Sequence, residues 1–193
     1  MKPKEFVQQY YPFALKTQQK TGISAVAVLA QAALESGWGK SAPGNMFFGV
    51  KDTDGVNGNE QLLQTTEYSR RADLKFPKII SITPVVRNGE KYFKYVVKDY
   101  FRKYNTPEEC FTDHMKFFFE NKRYKKALEV KNDPYKFIEE IAKAGYATAP
   151  SYAEMLTKVA KMIEKEVLLL TPQNSAAGKG KVAVVGVGKP INK

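Results

Sequence analysis

The stretch QAALESGWGKSAPGNMFFGVK, residues 31–51, closes the most apolar helical segment of the chain and then breaks sharply. Small and apolar residues run from Ala25 to Leu34, one acid follows at Glu35, and Gly37 ends the helical pattern. Helical spacing puts Glu35 on the face of Val28, Gln31 and Ala32, which is expected to be half buried. Glu35 also lies in the last turn, where the negative end of the helix dipole disfavours a further negative charge. Desolvation acts in the same direction. Both keep a carboxyl group protonated toward neutral pH, as a general acid requires. On placement alone, a surface glutamate at a frayed helix end is the better reading. The residues that follow tilt the balance. Gly37 and Gly39 flank Trp38, and Gly44-Asn45 precedes Phe47-Phe48-Gly49. Glycines let a backbone approach a ligand closely, and aromatic rings offer flat apolar surfaces to the CH faces of sugars.

Working outward, residues 3–21 read as a first helix, with Phe6, Tyr10, Phe13 and Thr17 near one face. Thr21-Gly22 breaks it, and Ser24 is the expected N-cap of the helix that ends at Glu35. Residues 50–104 change character, with turn signals and β-branched and aromatic residues. Asn88-Gly89 between Ile79–Val86 and Tyr92–Tyr100 predicts a hairpin. Pro84 belongs at a sheet edge or a bulge. Helices resume at Thr106-Pro-Glu-Glu109, a capping box with proline at the first helical position. Phe111, His114, Met115 and Phe118 share a face of that helix, and the Phe117–Phe119 run reads as core. Asp133-Pro134 opens another helix, to about Ala144. Ser151–Glu154 is a second capping box, opening a helix with Met155, Val159, Met162 and Glu166 on one side and Leu156, Ile163 and Val167 beside it. The expected organisation is one domain over 1–170, with a small β lobe at about 50–104, and a Gly/Lys/Val-rich tail over 171–193. Val182–Val187 is the one stretch of the tail with strand character.

The composition is that of a globular protein, with 43% hydrophobic and 26% charged residues among 193. No stretch reaches the roughly 18 apolar residues of a membrane span, so no membrane insertion is expected. Ile23–Leu34 imitates a signal peptide, but cleavage after it would cut the motif, so it is read as part of the mature fold. One cysteine, Cys110, and one histidine, His114, exclude an intramolecular disulfide and argue against a zinc centre. Neither a metal nor a cofactor is expected. The chemistry is left to carboxylates, tyrosines and amides. Cys110 reads as a small buried hydrophobe and His114 as a satisfied core histidine. The net charge is +11, of which the tail lysines contribute four, leaving +7 on residues 1–170. That suits an anionic partner, or simply a lysine-rich solvated surface. No nucleic-acid motif accompanies the charge.

Four separated motifs carry a specific resemblance. The segment AQAALESGWGKSAPGNMFFGVK resembles the signature of glucosaminidase domains of glycoside hydrolase family 73, which are bacterial and phage peptidoglycan hydrolases. Thr65-Thr66-Glu67-Tyr68 resembles the family's T-x-E-Y strand. Phe101-Arg102-Lys103-Tyr104, with Thr106 to His114, resembles its FRxY block and the helix after it. Ala144-Gly145-Tyr146-Ala147-Thr148, with Pro150 and Tyr152, resembles its GYATDPxY turn. Ala149 departs from the pattern, standing where many members carry Asp. That Asp caps the following helix, a role open to Ser151. The match spans about residues 5–168, in the family's order.

The resemblance implies an α+β, lysozyme-like fold, with a mainly helical lobe, a small antiparallel β lobe and a cleft between them. It implies endo-β-N-acetylglucosaminidase action on the β-1,4 bond after N-acetylglucosamine in peptidoglycan strands. Glu35 would be the general acid, Glu67 the second carboxylate, and Tyr146 a group positioning the N-acetyl group or a water. Trp38, Asn45, Phe48, Tyr68 and Tyr152 would bind substrate, and Arg102 and Tyr104 would anchor the β lobe. A monomer acting on the cell wall, in the periplasm or outside the cell, is expected, with the export route open. Two alternatives stay in view: a muramidase or lytic transglycosylase cutting the other glycosidic bond, and a non-catalytic wall-binding module.

Overall fold

The computed structural model describes residues 1–53, 56–147, 149 and 151–170. The tail expected from 171 on, with its strand-like Val182–Val187, lies outside the described residues, as do Thr148 and Pro150. The chain runs α1 (Pro3–Thr21), α2 (Ala25–Glu35), a short 3-10 turn (Pro43–Asn45), β1 (Glu60–Ser69), β2 (Lys78–Arg87), β3 (Glu90–Arg102), α3 (Pro107–Glu120), α4 (Lys125–Glu129), α5 (Pro134–Lys143) and α6 (Tyr152–Leu170). This is the α+β arrangement expected, with three antiparallel strands set between helices.

The apolar helix α2 is the central element of the helical lobe and touches α1, α3, α5 and α6. Residues 27–33 of α2 are all fully buried. Its alanines keep the helix thin, which lets neighbouring axes approach closely. The larger volume comes from a ring of aromatics that interdigitate edge to face. Phe47 meets Phe111 at 5.1 Å and Phe118 meets Phe137 at 5.2 Å between centroids. Cys110 is buried among them, its sulfur 3.4 Å from the Phe47 N–H, and burial pushes its thiol up to about 12. It is the inert small hydrophobe expected.

The local signals hold where backbone chemistry dictates them. Gly22 takes a left-handed φ of 76° and its N–H caps the Gln18 carbonyl at 2.7 Å. Asp133 accepts from the Tyr135 and Lys136 N–H groups. Asn88 and Gly89 both have positive φ, as a type I′ hairpin turn needs. The strand order β1-β3-β2 leaves β2 at an edge, which tolerates Pro84, while the bulge falls at Ile79/Ser81.

Three expectations change. Thr106 caps the Glu109 N–H, but the Glu109 carboxylate turns back to the Asn105 N–H, one residue before the cap. In α6 the buried stripe is Tyr152, Leu156, Ala160, Ile163 and Val167, while Met155 and Met162 face water. In the phenylalanine run only Phe118 is fully buried, and Phe119 is exposed, since consecutive helical residues cannot share a face. The five-residue α4 gave no periodic signal, being shorter than two turns.

The β lobe is tied to the helices at its root. Gln61 Nε2 donates to the Pro43 and Arg102 carbonyls at 2.7 and 2.9 Å. The Tyr104 N–H donates to the Gly44 carbonyl at 2.9 Å. Arg102 Nη1 and the Tyr104 hydroxyl both reach Asp113 Oδ2 of α3 at 2.8 Å, so these two residues anchor the lobe as expected. Gly44 has φ 58°, and a Cβ there would lie 2.8 Å from the Gln61 amide and from Lys103. Gly49 has φ 61° with open space around it. Gly49→Ala should therefore cost only the left-handed strain, about 1–2 kcal/mol, and Gly44→Ala more. Thermal melts of both variants check this. Equal losses would show that the lobe root yields freely.

Candidate active site

Glu35 is the last residue of α2, and the end of that helix is not frayed. Ser36 Oγ donates to the Ala32 carbonyl at 2.5 Å and accepts the Gly39 N–H at 2.8 Å. The Trp38 N–H closes on the Ala33 carbonyl at 2.7 Å. Val28, Gln31 and Ala32 behind it are buried, but Glu35 itself is exposed, not half buried as its face predicted. Its carboxyl pKa is nevertheless raised, chiefly by desolvation, with a hydrogen bond from Tyr152 opposing the rise. The two observations fit a residue on a concave wall. Its open side meets water, while the protein packed around it removes much of the solvation of a charge. The raised direction is the one that bears on proton transfer.

Behind Glu35 lies a short polar chain. The Tyr152 hydroxyl sits 3.4 Å from Gln31 Nε2, and its ring lies 5.5 Å from that of Tyr146. The Tyr146 hydroxyl is 3.1 Å from His114 Nε2. Burial raises both tyrosines, and the negative charge of Glu35 adds to each. They therefore stay neutral donors beside the acid. His114 is lowered to about 3 by desolvation, with Asp113 opposing, so the imidazole is neutral at working pH. It stacks flat on Phe48 at 3.7 Å. His114 is thus satisfied, as expected, but it holds Tyr146 and is only partly buried.

A hollow of about 630 Å³ opens in front of this chain, between the root of the β lobe and α3. Phe48, Lys51, Arg102, His114, Lys116 and Tyr146 are among its lining residues. Glu35 is not in that lining, so Tyr146 is the member common to the hollow and to the Glu35 network. Glu67 reaches the same region through Lys51. Lys51 Nζ lies 3.0 Å from Glu67 and 2.8 Å from Asp99. Partial burial pulls the Lys51 pKa down, but the bonds to Asp99 and Glu67 outweigh it and the net shift is upward. The register puts Glu67 opposite Tyr95 and Leu63 opposite Asp99, so both acids occupy one face of the sheet.

Other expected binding residues are placed differently. Tyr68 is on the opposite face from Glu67, because neighbours in a strand alternate, and Arg87 covers its ring at 4.1 Å. Asn45 is a structural pin, with Nδ2 bonded to the Tyr104 and Asn105 carbonyls at 3.0 and 3.2 Å. Trp38 packs edge-on to Phe6 at 5.6 Å, and Phe48 offers one face to His114. Tyr152 lies against Glu35, within the acid's own network. Gln31, Lys51 and Asp99 were missed as site residues. Lys51 closes the quoted motif, which is the one signal that could have found it. Ala149 offers its carbonyl to the Tyr152 N–H at 3.0 Å, so the turn into α6 forms without the family's Asp.

A carboxyl group raised by desolvation at a helix end, linked through Tyr146 to a hollow beside a small sheet, resembles the arrangement of a lysozyme-like glycosidase. The family model described as mannosyl-glycoprotein endo-beta-N-acetylglucosaminidase matches residues 11–165. This chain belongs to that glucosaminidase family, a family of glycoside hydrolases. It is 32% identical over 167 residues to the peptidoglycan hydrolase FlgJ of Pseudomonas aeruginosa, covering 83% of this chain and 36% of the relative. It is 32% identical over 146 residues to the exo-glucosaminidase LytG of Bacillus subtilis, covering 71% and 42%. The chain therefore spans less than half the length of either. The glycoside hydrolase domain of Salmonella typhimurium FlgJ superposes with a TM-score of 0.66 at 26% identity, covering 88% of this chain and 93% of that one.

Proposed function

We propose that this chain hydrolyses the β-1,4 bond after N-acetylglucosamine in peptidoglycan, acting within strands, with Glu35 as general acid. The observation that carries the reading is the Glu35 carboxyl at the fixed end of α2, raised by desolvation and flanked by two neutral tyrosines. Glu35 delivers its proton to the leaving glycosidic oxygen. As that bond breaks, positive charge develops on the sugar. Glu67, held by Lys51, is the carboxylate proposed to meet it. Tyr146, fixed by His114, is proposed to orient the N-acetyl group or the attacking water.

The catalytic unit is taken as residues 1–170, with the basic tail as an accessory. The proposed setting is the bacterial cell wall, reached in the periplasm or from outside, and the working form is a monomer. Among the described residues no helix is long and apolar enough to cross a membrane. Purified sacculi incubated with the protein should release soluble glycan fragments of mixed length. Sacculi that stay insoluble would contradict the reading, and release of single terminal sugars would make the enzyme exo-acting. Among the described residues no group of three or more His, Cys, Asp or Glu could hold a metal ion. The chemistry proposed needs none, so EDTA should leave the rate unchanged. Loss of activity with EDTA and its return with a divalent ion would show the carboxylate mechanism to be incomplete.

A further inference from the structure

One face of α3 continues away from the site as a basic groove that the hydrolytic mechanism does not use. Lys116 stands at its head. It is exposed, and among the described residues no carboxylate lies within ion-pair distance of it. It borders the hollow that holds His114 and Tyr146. It also borders a second hollow of about 420 Å³ with Lys20 and Lys103, and a third of about 560 Å³ with Lys20 and Lys131. The third hollow has no acid in its lining; threonines and Phe119 complete it. In the second, Asp113 is already held by Arg102 and Tyr104, and Glu109 by the Asn105 N–H. Lys20 is shared with Glu108 at 2.7 Å, which leaves Lys103, Lys116 and Lys131, the last over the Phe119 ring, as the lysines of these hollows without a carboxylate in ion-pair reach among the described residues.

Resting on the glucosaminidase reading, we infer that this groove binds the stem peptide that hangs from the sugar beside the scissile bond, with its carboxylates on Lys116 and Lys131. Lys116 lines all three hollows and Lys131 the third, so an extended chain leaving the first hollow past Lys116 meets Lys131 next. The groove starts at the hollow beside Tyr146, so a glycan seated there brings the peptide to Lys116 without leaving the surface. A peptide tethered to the sugar also binds at high effective concentration, so weak exposed ion pairs suffice.

The test compares two soluble substrates of equal glycan length, one carrying stem peptides and one stripped of them by an amidase. Lys131→Glu should raise KM on the peptide-bearing strands about tenfold, as expected for reversing one charge contact outside the catalytic hollow. Its kcat should hold, and its constants on stripped strands should match wild type. Lys131→Gln should show the same split more weakly, and melts should show both variants folded. An equal change on both substrates, or none on either, overturns the groove. A second measurement separates it from the catalytic reading. Free stem peptide titrated into the protein should shift amide resonances of Thr112, Lys116 and Phe119 in wild type and not in Lys131→Glu. If those shifts appear while neither glycan is cleaved, the catalytic reading fails and the groove stands. If they are absent, or if a teichoic-acid-like polyphosphate produces them equally, the groove is not a stem-peptide site.

Discussion

Glu35→Gln is expected to fold normally and to lose about two orders of magnitude or more in turnover on peptidoglycan, the range for removing a general acid. Glutamine keeps the shape and the hydrogen bond to Tyr152 but has no proton to give. The raised acid also makes a stability prediction. The native pKa lies above the ordinary 4.5, so between the two values the folded state retains a proton that the unfolded chain has released. Wild-type stability therefore falls as pH rises through that window, while the glutamine variant has nothing to titrate there. Melts from acid to neutral pH should show the variant gaining on wild type from about pH 4.5 upward. Activity should decline as pH rises through the same native pKa, because the acid is then ionised. A variant that keeps near-wild-type turnover would remove Glu35 from the mechanism.

Glu67→Gln is expected to lose about a hundredfold in kcat, the scale for removing one preorganised electrostatic partner. Glu60→Gln, on the same strand, should lose little. Among the described residues Glu60 accepts the local Gly58 N–H, whereas Glu67 is held by Lys51 at the rim of the hollow. Steady-state kinetics on one soluble substrate decide between them. If the two variants behave alike, Glu67 has no special role, and the charge on the sugar is met by the substrate's own acetamido group with Tyr146.

The parts legible in the sequence are those that local chemistry imposes. Gly22, Thr106, Asp133 and Asn88-Gly89 mark boundaries because each answers a backbone requirement at its own position. The Ala-rich α2 announces its burial in the same way. What stayed illegible depends on pairing across long distances. Asp99 joins Glu67 on Lys51 only because the β1–β3 register sets both acids on one face. Tyr68 read as a substrate-binding residue next to Glu67, and strand alternation sets it on the opposite face, where Arg87 covers its ring. Asn45 read as a ligand residue because it sits in a glycine and aromatic loop, yet its amide closes that loop onto the start of α3. Glu35 itself was found by motif and misjudged in exposure, since helix phase alone does not tell how far a residue at a helix end stays open to water. His114 was read as satisfied, but its partner Tyr146 lies 32 residues further along the chain.

The most direct test of the central claim is mass spectrometry of borohydride-reduced products from purified peptidoglycan digested by the wild-type protein, with Glu35→Gln as control. Fragments ending in reduced N-acetylglucosamine are expected from wild type and not from the variant. Fragments ending in reduced muramic acid or its anhydro form would assign the cut to the other glycosidic bond and contradict it.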